Sequence, residues 1–284
     1  MPINRSIQQI FTSQPTLEGA GVHLQRVFGF QQAPETFDPF LLLDDFRSDD
    51  PARYLAGFPW HPHRGIETIT YMLDGRVEHR DSLGNSGHIS AGDVQWMTAG
   101  SGIIHQEMPQ GDEFGRMGGF QLWTNLPASH KMMPPRYQEL KREQIPVVSA
   151  GGGAQVRVIA GQVNSIHGPV SEVITDPEYL DVSLPAGGEF SHPTQPGRTV
   201  LAYVIAGSVV FNPGQAPLHN GQLAHFGDGE QVTAAVHEGT TRFLLLSGRP
   251  LGEPIAWRGP IVMNTQEQLQ VAFEEYRKGT FIKS

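Results

Sequence analysis

Short runs of alternating or wholly apolar character, each closed by glycine or another turn former, dominate the chain. Ile69-Thr-Tyr-Met-Leu runs into Asp74-Gly75, and Arg76-Val-Glu-His-Arg-Asp alternates until Leu83-Gly-Asn-Ser-Gly. His88-Ile-Ser leads to Ala91-Gly-Asp, and Val94-Gln-Trp-Met-Thr leads to Ala99-Gly-Ser-Gly. Ile103-Ile-His-Gln-Glu and Phe120-Gln-Leu-Trp-Thr-Asn continue the series. Runs of this length, split by turns at short intervals, predict the strands of an antiparallel sandwich or barrel.

The second half repeats the first. His61-Pro-His stands before Ile69-Thr-Tyr-Met-Leu-Asp-Gly75, and His192-Pro-Thr stands before Leu201-Ala-Tyr-Val-Ile-Ala-Gly207. A repeat of that size predicts a duplicated domain rather than a solenoid unit. The seam is expected near Met132-Met-Pro-Pro-Arg-Tyr-Gln and the Ala150-Gly-Gly-Gly run, giving domains 1–135 and 136–284. The glycines at 151–153 read equally well as a hairpin turn. One helix stands out. Thr265-Gln-Glu-Gln268 fits a capping box, Leu269, Ala272, Phe273 and Tyr276 form an apolar stripe, and Gly279 ends it.

Composition sharpens this reading. In 284 residues there are 33 glycines and 22 prolines, as turn-rich β-structure requires. The formal charge of −9 and the lack of a Lys/Arg cluster argue against direct nucleic-acid contact. With no cysteine, there is no disulfide, thiolate metal site or cysteine nucleophile. No apolar run resembles a signal peptide or approaches the roughly 18–20 residues that span a bilayer. A soluble cytoplasmic protein without membrane attachment is expected.

The chemistry concentrates in two short pairs, His61-Pro62-His63 and His105-Gln106-Glu107. On a strand, positions i and i+2 point to the same face, so each pair aims two ligand atoms at one place. The intervening strands give enough chain to bring the pairs together. Three imidazoles and a carboxylate suit iron, nickel, copper or zinc, and open positions on such an ion would permit catalysis. The plainer alternative is two unrelated surface pairs, which the second pair makes the weaker reading.

Glu67 reads as a structural strand residue or as a hydrogen-bond partner of an imidazole. His79 and His88 lack partner spacing and read as ordinary polar residues. Trp96 and Met97 read as core or pocket wall. The second half keeps His192 but has Thr194 where the first has His63, and only isolated histidines, His225 and His237, follow. The C-terminal barrel is therefore expected to be metal-free.

Over nearly its whole length the chain resembles the pirin family, a branch of the cupin superfamily. The resemblance rests on His61-Pro-His-Arg-Gly-Ile-Glu-Thr-Ile-Thr-Tyr, on the run from Gly92-Asp-Val-Gln-Trp-Met-Thr to Ile103-Ile-His-Gln-Glu107, on Leu122-Trp-Thr-Asn-Leu-Pro, and on Gly259-Pro-Ile-Val-Met-Asn-Thr. It implies an all-β fold of two tandem jelly-roll cupin barrels with a C-terminal α-helix. It also implies one metal in the N-terminal barrel, with His61, His63, His105 and Glu107 as ligands. The ion implied is Fe(II); Ni, Cu, Zn, Mn and Co also suit these ligands. The histidine that most cupins carry soon after Gly92 is absent. That departure is itself pirin-like, and it removes Glu67, a ligand in many other cupins, from the expected set.

Two functions follow from the resemblance. The first is a quercetin 2,3-dioxygenase-like enzyme acting on a flavonol and O₂. The metal would bind the deprotonated 3-hydroxyl, Glu107 would act as the base, and ring cleavage would release carbon monoxide. The second is a metal-dependent regulator, a redox-sensing cofactor of transcription or of a metabolic enzyme, which would act on a protein partner without turnover.

Overall fold

The computed structural model describes residues 2–283, which divide into two compact units. One comprises the described residues of 14–142 with those from 251 onward, the other those up to 13 with 143–250. Each is built from a seven-stranded and a four-stranded antiparallel sheet. The strands inferred from alternation are present as Ile66–Asp74, Arg76–Asp81, Ser86–Ser90, Val94–Thr98, Ile103–Gln110 and Gly118–Asn125.

In the first unit the large sheet runs in the order Arg136–Leu140, Val94–Thr98, Ile66–Asp74, Gly118–Asn125, Phe40–Asp45, Val22–Phe28, Gln14–Glu18. The small sheet runs Phe58–His63, Ile103–Gln110, Arg76–Asp81, Ser86–Ser90. Val22, Leu24 and Met72 of the large sheet pack against Val77 and Ile89 of the small one. In the second unit the large sheet runs from Ile7–Thr12 through Gln222–Phe226, Thr199–Ala206, Thr241–Gly248, Glu178–Leu184 and Gln155–Ala160 to Val147–Ser149. Its core is a continuous aliphatic and aromatic cluster that includes Val158, Leu180, Ala202, Phe211, Phe243 and Leu245.

The expected cut between 135 and 136 is displaced, for a physical reason. An edge strand leaves a row of N–H and C=O groups unpaired, and here sequence-distant segments pair them. Arg136–Leu140 pairs along Val94–Thr98, placing Tyr137 opposite Met97, so it belongs with the first half. Ile7–Thr12 pairs along Gln222–Phe226 and belongs with the second. The glycines at 151–153 form a hairpin between Val147–Ser149 and Gln155–Ala160.

The last segment returns to the first unit. Ile261 and Met263 pack with Leu269 and Ala272 of the helix Gln266–Lys278. The predicted capping box is present at Thr265 and Gln268, and Gly279 ends the helix in the left-handed region. Tyr276, at the far end of the stripe, is 38% exposed, its ring edge-on to Phe281. Gly65 permits the close approach of this segment: its φ is +76°, and a Cβ there would lie 2.0 Å from the Val262 carbonyl oxygen. The adjacent buried Arg64 donates to Glu275 at 2.7 Å and to the Phe281 carbonyl at 2.8 Å. Among the described residues no helix is long and apolar enough to cross a membrane.

Candidate metal centre

Strand pairing brings the two sequence pairs together. Phe58–His63 runs antiparallel to Ile103–Gln110 with His61 opposite His105 and His63 opposite Ile103. The three imidazole rings meet with centroids 4.4 to 5.0 Å apart. Each offers one nitrogen, and these atoms all lie within 4.8 Å of one another. Trp123 stands edge-on to His63 at 5.0 Å.

The donor chemistry fits a metal ion. His61 Nδ1 lies 2.8 Å from the Pro59 carbonyl, and His63 Nδ1 lies 3.2 Å from the Pro260 carbonyl. A carbonyl only accepts, so each Nδ1 carries the proton and each Nε2 keeps its lone pair. Both ring nitrogens of the buried His105 lack a partner. Burial holds all three imidazoles below their ordinary value, with His61 further depressing His63 and His105. Neutral imidazole is the form that ligates.

Glu107 is buried on the same inward face, two positions beyond His105, but lies outside the tight three-histidine group. A register shift separates His105 from Glu107 along the partner strand. Its Oε1 accepts from the Thr70 hydroxyl at 3.3 Å. Burial raises its carboxyl to about 7, against that hydrogen bond. A buried carboxylate with no cation beside it is costly, and an ion held by the histidines would supply that charge.

Other expectations resolve differently. Glu67 is fully buried, and its carboxylate accepts from the Thr98 and Thr124 hydroxyls at 2.7 and 3.4 Å rather than from an imidazole. Its role is structural. Trp96 and Met97 are core, and His88 is exposed. His79, read from the sequence as an ordinary polar residue, is buried beside the histidine group. It is 1% exposed, its ring lies 5.4 Å from that of His105, and Asp81 Oδ2 lies 3.8 Å from its Nε2. The available signal was the alternation of Arg76–Asp81, which puts Val77, His79 and Asp81 on one buried face. In the second unit His192 lies opposite Val232, and its Nε2 is 3.2 Å from Glu178 Oε1. Among the described residues that unit gathers no comparable ligand group.

His61 and His63 open onto a cavity of about 660 Å³ that Glu107 and Thr70 also line. Its walls are largely apolar and include Leu24, Phe46, Phe58, Val77, Met117 and Trp123. Such a space admits a small molecule of several rings.

Family models for pirin and for the pirin C-terminal cupin domain match residues 21–124 and 179–282. The chain belongs to the pirin family. A pirin-like protein of Caulobacter vibrioides is 46% identical over 99% of this chain and 100% of its own length. A Pseudomonas aeruginosa protein named "Putative quercetin 2,3-dioxygenase" is 45% identical over 97% of each chain. The crystal structure of a quercetin 2,3-dioxygenase from Acinetobacter baumannii superimposes with a TM-score of 0.90 at 33% identity, covering 98% of both chains. Both halves are thus cupin domains, and the three-histidine group could hold a metal ion.

Proposed function

We propose that the protein is a metal-dependent dioxygenase that cleaves flavonols such as quercetin with O₂ and releases carbon monoxide. The observation that carries this reading is the set of three neutral imidazoles at the wall of an apolar cavity, beside a buried carboxylate. His61, His63 and His105 would hold the ion, with Glu107 turning in as the fourth ligand, and Fe(II) is the ion proposed. When bound, such an ion supplies Lewis acidity toward a phenolate oxygen and a redox route to O₂.

The protein's own groups do the rest. Glu107, two positions beyond His105 on the same inward face and lining the cavity, is placed to accept the proton of the 3-hydroxyl. The Thr70 hydroxyl donates to Glu107 and restrains its carboxylate. The Pro59 and Pro260 carbonyls keep the ligating nitrogens of His61 and His63 pointed inward. The aromatic and aliphatic walls hold flat rings and exclude water.

The test is anaerobic purification with metal analysis, followed by O₂ uptake and carbon monoxide detection with quercetin on the iron-loaded protein. Quercetin-dependent uptake that disappears in His63→Ala is the expected result. Bound metal without uptake for any flavonol would refute the enzyme reading and favour a regulator that alters a partner's affinity without turnover.

A further inference from the structure

The cavity has a polar floor that metal binding does not explain. Across four neighbouring strands of the large sheet, Thr70 stands opposite Gln121, Gln121 opposite Asp44, and Asp44 opposite Arg26. Directly opposed residues project from one face of a sheet, and all four line the cavity. Three strand spacings make the row about 14 Å long. One end is tied to the metal centre: Thr70 Oγ1 lies 3.3 Å from Glu107 and 2.8 Å from Gln121 Oε1.

The duplicated unit shows what these positions hold when no ligand is served. Its equivalent row is Ala202, Leu245, Leu180 and Val158, paired in the same succession and all buried in the core. The fold therefore does not require polar side chains along this line, and lining a cavity with them is unfavourable unless they are satisfied.

At the far end Arg26 is fixed. Its Nε and Nη2 donate to Asp44 at 2.9 and 2.8 Å, and Nη2 also lies 2.9 Å from Glu18. Phe30 sits on the guanidinium at 5.3 Å and packs against Trp257 at 4.2 Å. Arg26 lines the cavity, and a guanidinium has five N–H donors, more than the Nε and Nη2 contacts to Asp44 and Glu18 use. One guanidinium between two carboxylates carries a net negative charge. It suits a neutral hydroxyl, which accepts from Arg26 and donates to a carboxylate, and it repels an anion.

We propose that Arg26, Asp44 and Glu18 form a subsite for the hydroxyl-bearing ring of a neutral polyphenol held in the cavity beside the metal centre. The inference rests on the flavonol reading and names Arg26 as a specificity-determining residue.

The test is anaerobic binding to the metal-loaded protein, followed by calorimetry, with quercetin and with galangin, which lacks the hydroxyls of the pendant ring. The wild type should prefer quercetin about tenfold, the scale of a hydrogen bond to a charged group. Arg26→Met should bring the ratio near one while leaving galangin affinity within about twofold. A preference absent from the wild type, or undiminished in Arg26→Met, overturns the subsite and leaves the flavonol reading standing. Failure of the wild type to bind either compound overturns both. Glu18→Gln alters a carboxylate that is 38% exposed and so spares the fold. It should raise affinity for quercetin sulfated on the pendant ring about tenfold by removing one repelling charge, and unchanged affinity would overturn the charge argument.

Discussion

The two units share one strand plan and use its interior in opposite ways. In the unit holding residues 14–142, His61 faces His105, and polar residues continue from Thr70 to Arg26 around an open cavity. In the other, His192 faces Val232, and the corresponding line is aliphatic within a closed core. The copied histidine is turned to Glu178 and stacked against Phe190. A cupin interior thus becomes a site by leaving space and placing polar groups around it; one retained histidine is not enough.

The largest test makes the first unit resemble the second. His105→Val should abolish tight metal binding. Changes to groups that merely brace a ligand cost about 10–100-fold in affinity, so losing the ligand itself should cost about a thousandfold. Elemental analysis reads the loss, and an unchanged near-UV circular dichroism spectrum separates it from unfolding. Retained metal would erase the distinction between the units.

Packing gives the next test. Phe243 is fully buried between Phe190 and Phe211, with ring centroids 6.0 and 5.3 Å away. Phe243→Ala should cost about 3–4 kcal/mol in urea denaturation. Phe58, at the wall of the existing cavity and only half-buried, should cost about 1–2 kcal/mol on the same change. Equal losses would mean that the first unit is as tightly filled as the second.

The polar floor has a pH signature. Burial raises Asp44 to about 6, with Arg26 opposing. The folded state then keeps a proton that the unfolded state releases between pH of about 4 and 6. This contribution to stability is present below that window and is lost as pH rises through it. Relative to Asp44→Asn, which does not titrate, the wild type should lose about 2–3 kcal/mol across the window. A constant difference between the two proteins would show that Asp44 is ionised throughout. The smallest expected effect is that of His192→Ala. Losing one hydrogen bond should cost about 1 kcal/mol and leave metal content unchanged.

The sequence pairs were readable because strand periodicity is local: His61 and His63 must share a face wherever their strand lies. Alternation placed the strands, and the Thr265 and Gln268 side chains announced the helix. The polar floor could not be read this way. Thr70, Gln121, Asp44 and Arg26 are united by register between strands far apart in sequence, which no single run encodes. The same limit hid the division of the chain, since Arg136–Leu140 and Ile7–Thr12 are ordinary strands until their partners are known. His79 was overlooked because spacing was sought along one strand, whereas its neighbour His105 lies on the next.

The carbonyl that fixes His63 belongs to Pro260, 197 residues further along the chain. At ribosomal speeds of about 5–20 residues per second, His63 leaves the peptidyl-transferase centre roughly 10–40 seconds before that oxygen exists. If the three histidines take up a metal as proposed, loading into the finished geometry is therefore an event of the completed polypeptide. A chain stopped before its final segment would carry every imidazole yet lack one of the two carbonyls that aim them.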